Sequence, residues 1–284
     1  MKKRNKEEIL LLSLWLPSIT GILVFFVVPF IVSFYYALID NPVTANFVGI
    51  KNFAHVIGSE SFRLALKNTL KFMATCIPLN LIVSLFFSLI IHRAKKIKSI
   101  LAVIFLLPLA IPSGSVVFFW ESIFGLNGLV NKLLFSSNPR DWIQSSYATF
   151  IIVIIFLWKN IGFSIVLFSA ALNLVPKEYY EAAVVEGAGA YKKFTKITFP
   201  YIVPTTFLVF ILSIINSFKC FKEIYLLAGN YPNQSIYMLQ HYVNNQFASM
   251  NYQRLVSAAY VLFVFITAII VLFFYFQKRF TKDY

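Results

Sequence analysis

Apolar residues run in long blocks separated by short polar stretches, with six blocks near 11–38, 70–91, 100–122, 148–172, 202–219 and 256–276. Within the blocks only Pro, Gly, Ser, Thr and an occasional stronger polar residue interrupt the pattern. A hydrocarbon core takes roughly 20 apolar residues per helical crossing, so each block predicts a transmembrane helix. The first is longer than a bilayer needs at ~1.5 Å per residue. Pro17, Gly21 and Pro29 within it predict a kink or tilt, which neighbouring helices tolerate. The start, Met1-Lys2-Lys3-Arg4-Asn5-Lys6, resembles the basic region of a signal peptide, but the apolar run from Ile9 to Ile39 is too long and lacks a clear small-residue cleavage site. It reads as a retained first span. No internal repeat or low-complexity tract stands out.

Orientation follows from the basic residues in alternate polar segments. Segments 1–8, 92–99 (Arg93, Lys95, Lys96, Lys98) and 173–201 carry four Lys or Arg each, and 278–284 carries three, fifteen in all. The other side holds seven: Lys51, Arg63, Lys67, Lys132, Arg140, Lys222 and Arg254. The richer side is expected to be cytoplasmic. An even number of spans then places both termini in the cytoplasm of a multi-pass plasma-membrane protein, with external segments near 40–69, 123–147 and 220–255.

Composition agrees with lipid as the solvent. Hydrophobic residues are 59% of the chain and charged residues 13%, which leaves too little polar surface for a soluble globule. A single membrane domain over 1–284 is expected. The net charge of +14 raises nucleic acid as a partner, but the basic residues recur between apolar runs instead of forming one patch or tail. Membrane lipid is the expected surrounding, and nucleic acid is not expected to bind. Cys76 and Cys220 lie in or beside apolar runs without metal-ligand spacing, so neither a disulfide framework nor a metal site is expected.

The longest internal cytoplasmic segment, 173–201, carries the most structured signal. Pro176 suits the first turn of a helix, Glu178 and Glu181 favour its positive end, Ala182 and Ala183 keep its exposed face small, and Gly187 supplies the positive φ that ends it. A second short helix from about Ala190 to Thr198, with Lys192, Lys193 and Lys196, is expected to lead to Pro200 at the mouth of the fifth span. On these signals alone the segment is either a capped connector or a docking element.

The run Glu181-Ala182-Ala183, then Glu186-Gly187-Ala188, then Phe194, Ile197 and Pro200 resembles the cytoplasmic loop of binding-protein-dependent ATP-binding cassette importer permeases. Further stretches are similar to the carbohydrate-uptake branch: Phe47-Val48-Gly49-Ile50-Lys51-Asn52-Phe53, Asn68-Thr69, Gly128-Leu129-Val130-Asn131, and Trp158 with Gly162. Glu186 stands where the family usually has Asp, and keeps the charge. The ending Gln277-Lys278-Arg279-Phe280 is more similar to the first-type permease of such pairs than to the second. The resemblance implies an all-α polytopic protein with six transmembrane helices and a cytoplasmic coupling helix between spans four and five, in which Glu181, Ala182, Ala183, Glu186 and Gly187 meet an ATPase subunit. It also implies cytoplasmic ATP-binding cassette ATPase subunits, a second permease subunit forming a heterodimer, and an extracytoplasmic solute-binding protein. By that resemblance the solute is a sugar or sugar-like compound, delivered by the binding protein.

Lys159 falls near the middle of the fourth span, where an ammonium costs ~2.5 to 3.5 kcal/mol on insertion scales, so it is expected to face the protein interior. At 100° per residue Trp158, Lys159, Gly162 and Ser169 share an arc of about 100°. The stripe either lines a passage or holds the bundle, with Lys159 paired to Glu121 or to helix-end carbonyls. Ser213 and Asn216 in the fifth span border the same passage or glue helices together.

An intramembrane enzyme needs convergent acids, bases or metal ligands. Only Glu121 and Glu223 among the carboxylates approach a span, and His55, His92 and His241 fall in loops or at span ends, so no catalytic residue is expected. A Gly-x-x-x-x-Gly-Lys-Ser/Thr phosphate loop is also missing. No cofactor is therefore expected on this chain, and ATP is expected to be used by partner subunits. The competing reading is an ion-coupled secondary transporter, which commonly uses carboxylate or His relays or interrupted helices in paired repeats.

Overall fold

The computed structural model describes residues 15–93 and 98–282. The basic start with Lys2, Lys3, Arg4 and Lys6, the opening residues of the first predicted span, and Lys95 and Lys96 lie outside the described residues. The described chain is helical, with one isolated antiparallel bridge between Ile39 and Phe47. In order the helices are α1 Trp15–Ala37, α2 Lys51–Gly58, α3 Glu60–Arg93, α4 Lys98–Ala110, α5 Ser113–Phe124, α6 Leu129–Leu134, α7 Ala148–Asn173, α8 Lys177–Val185, α9 Ala190–Lys193, α10 Phe199–Lys219, α11 Phe221–Ala228, α12 Leu239–Ala248 and α13 Tyr252–Lys282.

Six helical stretches among the described residues are long and apolar enough to cross a membrane, as expected: Trp15–Ala37, Glu60–His92, Ser113–Leu134, Ala148–Asn173, Ala190–Ala228 and Tyr252–Tyr275. The third departs from the expected single helix over 100–122. The break falls at Pro112, which takes an extended ψ of 144° as the N-cap of α5, whereas Pro108 is carried inside α4. Proline removes a backbone donor and pushes the residue before it out of the helical region. Two other prolines are absorbed without a break. Pro29 and Pro200 each follow a π-helical stretch, Leu23–Val27 and Phe194–Thr198. In each, the residue before the proline donates five residues back, Val28 to Leu23 and Phe199 to Phe194, so one extra residue in the turn accommodates the ring. The expected short helix over 190–198 is consequently continuous with the fifth crossing.

The chain forms two compact units. Among the described residues the first comprises 15–62 and 243–265. Here the rings of Phe30 and Phe34 pack on Tyr260, with centroids 4.9 and 5.1 Å apart, and Phe30 also meets Phe263 at 5.2 Å. The Tyr260 hydroxyl donates to the Phe30 carbonyl. Beyond α1 the chain turns about Asp40, whose carboxylate accepts from the Thr44 hydroxyl, from Asn46 and from the Asn41 N–H. These bonds, that of Thr44 foremost, hold its pKa below the usual carboxylate value. Asn52 donates to the carbonyls of Ala37 and Ile39 at 2.9 and 2.8 Å, closing the C-terminus of α1.

Among the described residues the second unit comprises 63–93, 98–242 and 266–282, and α7 is its axis. Phe156, Phe168, Ile155 and Ile165 of α7 are almost wholly buried, and α4 and α10 pack along the helix. One core joins Phe72 and Cys76 to Phe156, Cys220 and Ile224, and both cysteines are free thiols. Asn68 donates to the carbonyls of Gln234 and Tyr237, and the Leu239 N–H donates to Thr69. Asn131 donates to the carbonyls of Gly125, Leu126 and Arg140 and accepts from Arg140 and the Trp142 indole. A buried amide that satisfies this many backbone groups fixes an irregular segment as firmly as a helix would.

His241, expected in a loop or at a span end, lies in the first turn of α12, fully buried, with Nδ1 accepting from the Met238 N–H at 3.1 Å. Burial lowers its pKa from 6.5 to about 4. The unfolded chain therefore binds a proton that the folded chain refuses as pH falls from 6.5 to about 4. The corresponding stability is complete above that window and lost through it, at no more than about 1.4 kcal/mol per pH unit. The melting midpoint in detergent is expected to fall between about pH 7 and about pH 4.5, and His241→Gln, which keeps an acceptor but does not titrate, is expected to flatten that fall. Parallel pH profiles for the two proteins would assign the effect elsewhere.

Candidate functional site

The segment after α7 is built from local rules. Pro176 is the extended N-cap of α8, Glu178 lies in its first turn, and Glu186 is its C-cap. Gly187 follows at φ +69°. Its N–H donates to the Val184 carbonyl and the Ala188 N–H donates to that of Ala183, at 3.0 and 2.8 Å. This paired pattern is a Schellman closure, and it requires a left-handed residue. Any Cβ at Gly187 meets open space, so the requirement for glycine is one of backbone angle alone. A 2.7 Å hydrogen bond between the Tyr180 and Thr198 hydroxyls ties α8 to the π-helical entry of α10.

Of the five residues marked by the resemblance, Glu181, Ala182, Glu186 and Gly187 are exposed, whereas Ala183 is buried. Ala183 thus belongs to the inner side of the helix, not to a small exposed face. The outward surface carries apolar bulk that sequence reasoning missed: Val184, Val185 and Tyr191 are 61%, 89% and 82% exposed. Two adjacent valines at the end of an otherwise polar, exposed helix were the available signal.

The polar residues of the fourth and fifth spans separate into three groups. Lys159 forms an ion pair with Glu223, not with Glu121 or helix-end carbonyls. Ser113 completes the cluster, donating to Glu223 Oε1 at 2.8 Å and accepting from Lys159 Nζ at 3.5 Å. Helices α5, α7 and α11 thereby meet at one charged point, which lies on a cavity of about 150 Å³ bordered also by Leu109, Asn160, Asn216 and Lys219. Ser213 belongs elsewhere: it and Ser164 accept from Asn80 Nδ2 at 3.0 and 2.9 Å, a buried polar knot joining α3, α7 and α10.

Trp158 and Gly162 are packing residues. Trp158 stacks on Phe119 with centroids 5.6 Å apart and meets Trp120 edge-on at 5.7 Å. A Cβ at Gly162 would lie 1.7 Å from the carbonyl oxygen of Phe105, so this glycine is where the backbones of α4 and α7 touch. Ser169 is buried and its hydroxyl has no hydrogen-bond partner. Only Lys159 and Asn216 of the expected stripe therefore share the cavity. Glu223 was missed as a partner because it lies 64 residues from Lys159, beyond any periodicity.

Comparison with known proteins bears on this geometry. Residues 80–283 match the family model for the binding-protein-dependent transport system inner membrane component. The chain is 31% identical over 239 residues to the trehalose/maltose transport system permease protein MalF of Thermococcus litoralis, covering 81% of each protein. It is 33% identical over 229 residues to the arabinooligosaccharides transport system permease protein AraP of Bacillus subtilis, covering 75% of this chain and 70% of that one. The fold matches a chain of a bacterial ABC transporter involved in the import of the acidic polysaccharide alginate, with a TM-score of 0.82 at 24% identity over 98% of both chains. The resemblance read from the loop and its neighbouring motifs thus extends through most of the chain, which belongs to the binding-protein-dependent transport system inner membrane component family.

Proposed function

We propose that this chain is the permease subunit of an ATP-driven importer for a sugar or sugar-like solute. The observation that carries the reading is α8, an exposed short helix closed by a left-handed glycine directly after the core helix α7, in a chain of this family. A rigid, capped helix transmits displacement to the helices on either side of it, whereas a loose tether does not. The sugar class follows from the relatives, which are permeases for trehalose and maltose and for arabinooligosaccharides. Family membership favours this reading over an ion-coupled carrier.

In this scheme α8 and both termini face the cytoplasm, on the side richer in Lys and Arg. Glu181, Ala182, Glu186 and Gly187, joined by Val184 and Val185, contact a separate ATPase subunit, and Ala183 anchors the helix from within. ATP is bound and hydrolysed by those partners. A second, different permease subunit completes the pathway, and an extracytoplasmic binding protein delivers the solute. Lys159 and Asn216 border the path, while Trp158, Gly162, Ser169 and Ser213 hold its walls. Nucleotide-driven closure of the ATPases shifts the cavity between outward and inward access through α8.

The test is Gly187→Val. A β-branched residue at positive φ is strained, and the Schellman closure opens. The variant is expected to reach the membrane and co-purify with its partner subunits, while most solute uptake is lost and ATP hydrolysis no longer responds to the loaded binding protein. Wild-type uptake by this variant would remove α8 from the coupling route.

A further inference from the structure

The first compact unit contains a second polar cavity, of about 310 Å³, lined by Asp40, Lys51, His55, Asn251, Gln253 and Arg254 among others. Its charges are arranged against the local backbone. Lys51 is the first residue of α2 and Arg254 the third of α13, and neither helix has an acidic residue in its first turn. Helix N-termini carry partial positive charge and free N–H groups, so a cation at each is unfavourable until an anion sits between them. α2 has no side-chain N-cap. Asp40, the carboxylate on the cavity, forms no ion pair with either cation; its two oxygens accept four bonds from its own turn, from Asn41, Thr44 and twice from Asn46. Neither Lys51 nor Arg254 forms an ion pair among the described residues.

Gln253 is the independent observation. It is nine-tenths buried, it lines the cavity, and its Nε2 has no hydrogen-bond partner. A buried amide donor without an acceptor is costly, and an anion's oxygen relieves it. Two cations, two helix starts without an acidic residue in the first turn and one orphaned donor are the recognition set of a phosphate group.

The surroundings indicate where that phosphate comes from. The cavity lies just past Ala37, the end of the first crossing, and at Tyr252, the start of the last, so it sits at the depth of lipid headgroups. Sequence neighbours of the lining residues expose apolar side chains: Phe47, Ile50 and Met250 are each about three-quarters exposed. An apolar rim around a cationic pocket suits an amphiphile better than a free ion. We infer that this cavity binds the phosphate headgroup of an anionic phospholipid.

The experiment uses the full chain in nanodiscs of phosphatidylcholine with a minor fraction of phosphatidylglycerol, released into native mass spectrometry. The wild type is expected to retain one phosphatidylglycerol. Lys51→Gln with Arg254→Gln is expected to lower that occupancy about tenfold. Gln253→Met, which removes an unpartnered donor at nearly constant volume and so keeps the fold, is expected to lower it in the same direction. Equal retention by all three proteins overturns the inference. Displacement of the lipid by millimolar inorganic phosphate overturns the lipid assignment in favour of a soluble phosphate ester. Loss of binding-protein stimulation in the double variant, without any lipid retention, overturns it in favour of a carboxylate on a protein partner.

Discussion

Gly162→Val is expected to eliminate the folded subunit. The Cβ of any residue at this position would fall 1.7 Å from the Phe105 carbonyl oxygen and 2.4 Å from its carbon, and both are backbone atoms that no rotamer change moves. Helix α4 would have to retreat from α7, the most buried crossing of the bundle. Overpacking a side-chain contact costs about 1 to 3 kcal/mol, and a backbone contact between closely approaching helices leaves less room to relax. Detergent-extracted Gly162→Val is expected to give no monodisperse peak in size-exclusion chromatography, and Gly162→Ala a reduced peak with a lower melting midpoint. A Gly162→Ala protein melting with the wild type would show that the helices do not meet here.

The second large effect belongs to the part-buried ion pair of Lys159 and Glu223. Glu223→Leu leaves the Lys159 ammonium facing Ser113 without its carboxylate; breaking a fully buried pair from one side costs about 3 to 5 kcal/mol, and the 22% exposure of Lys159 places this loss below that range. Lys159→Met with Glu223→Leu removes both charges and is expected to recover most of the lost stability, since an apolar replacement of a buried pair is often neutral. Thermal melts of the two single variants and the double variant form a cycle whose coupling energy measures the pair. Because Lys159 borders the cavity with Asn216, the recovered double variant is expected to assemble with its partners and still transport poorly. Full uptake by that protein would make the pair a structural clamp and nothing more.

The same cluster shows how far local patterns reach. The sequence marks Lys159 as buried and in need of a partner, because an ammonium in mid-span cannot stand alone. It offers Glu121, at the end of a predicted span, or helix-end carbonyls. The actual partner, Glu223, sits on a short helix past the turn at Cys220, in a segment whose polar residues read as an external loop. Only the packing of α11 against α5 carries that carboxylate inward. In the same way Gly162 reads as part of a polar stripe, since a missing side chain has no periodicity of its own. Its role appears once the backbone of α4 is placed against it.

Motifs behaved differently from stripes. Asn52, Asn68 and Asn131 enter the sequence argument only as parts of the resemblance, without a physical role. Each proves to satisfy backbone carbonyls at a point where helical bonding stops: the end of α1, the turn before α12, and the loop after α5. An exposed amide and a loop-closing amide look identical in a sequence, because the acceptors come from segments that are not yet helical neighbours.

What the sequence by itself determined are the features with short-range causes. A run of apolar residues must satisfy its backbone internally in lipid, so six helical crossings follow from composition. Pro176, Glu178 and Gly187 write the start and stop of α8 into residues within a dozen positions, because capping bonds span at most five residues. The tertiary structure alone decided the contacts whose members are distant in the chain: Lys159 with Glu223 and Ser113, Asn80 with Ser164 and Ser213, and Gly162 with Phe105. It also decided that Pro112 breaks a crossing, that Pro108 is carried inside α4, and that Pro29 and Pro200 follow π-helical turns that absorb them. Those outcomes depend on which helix lies alongside and how closely, and close packing selects among arrangements that hydrophobicity alone leaves equal in energy.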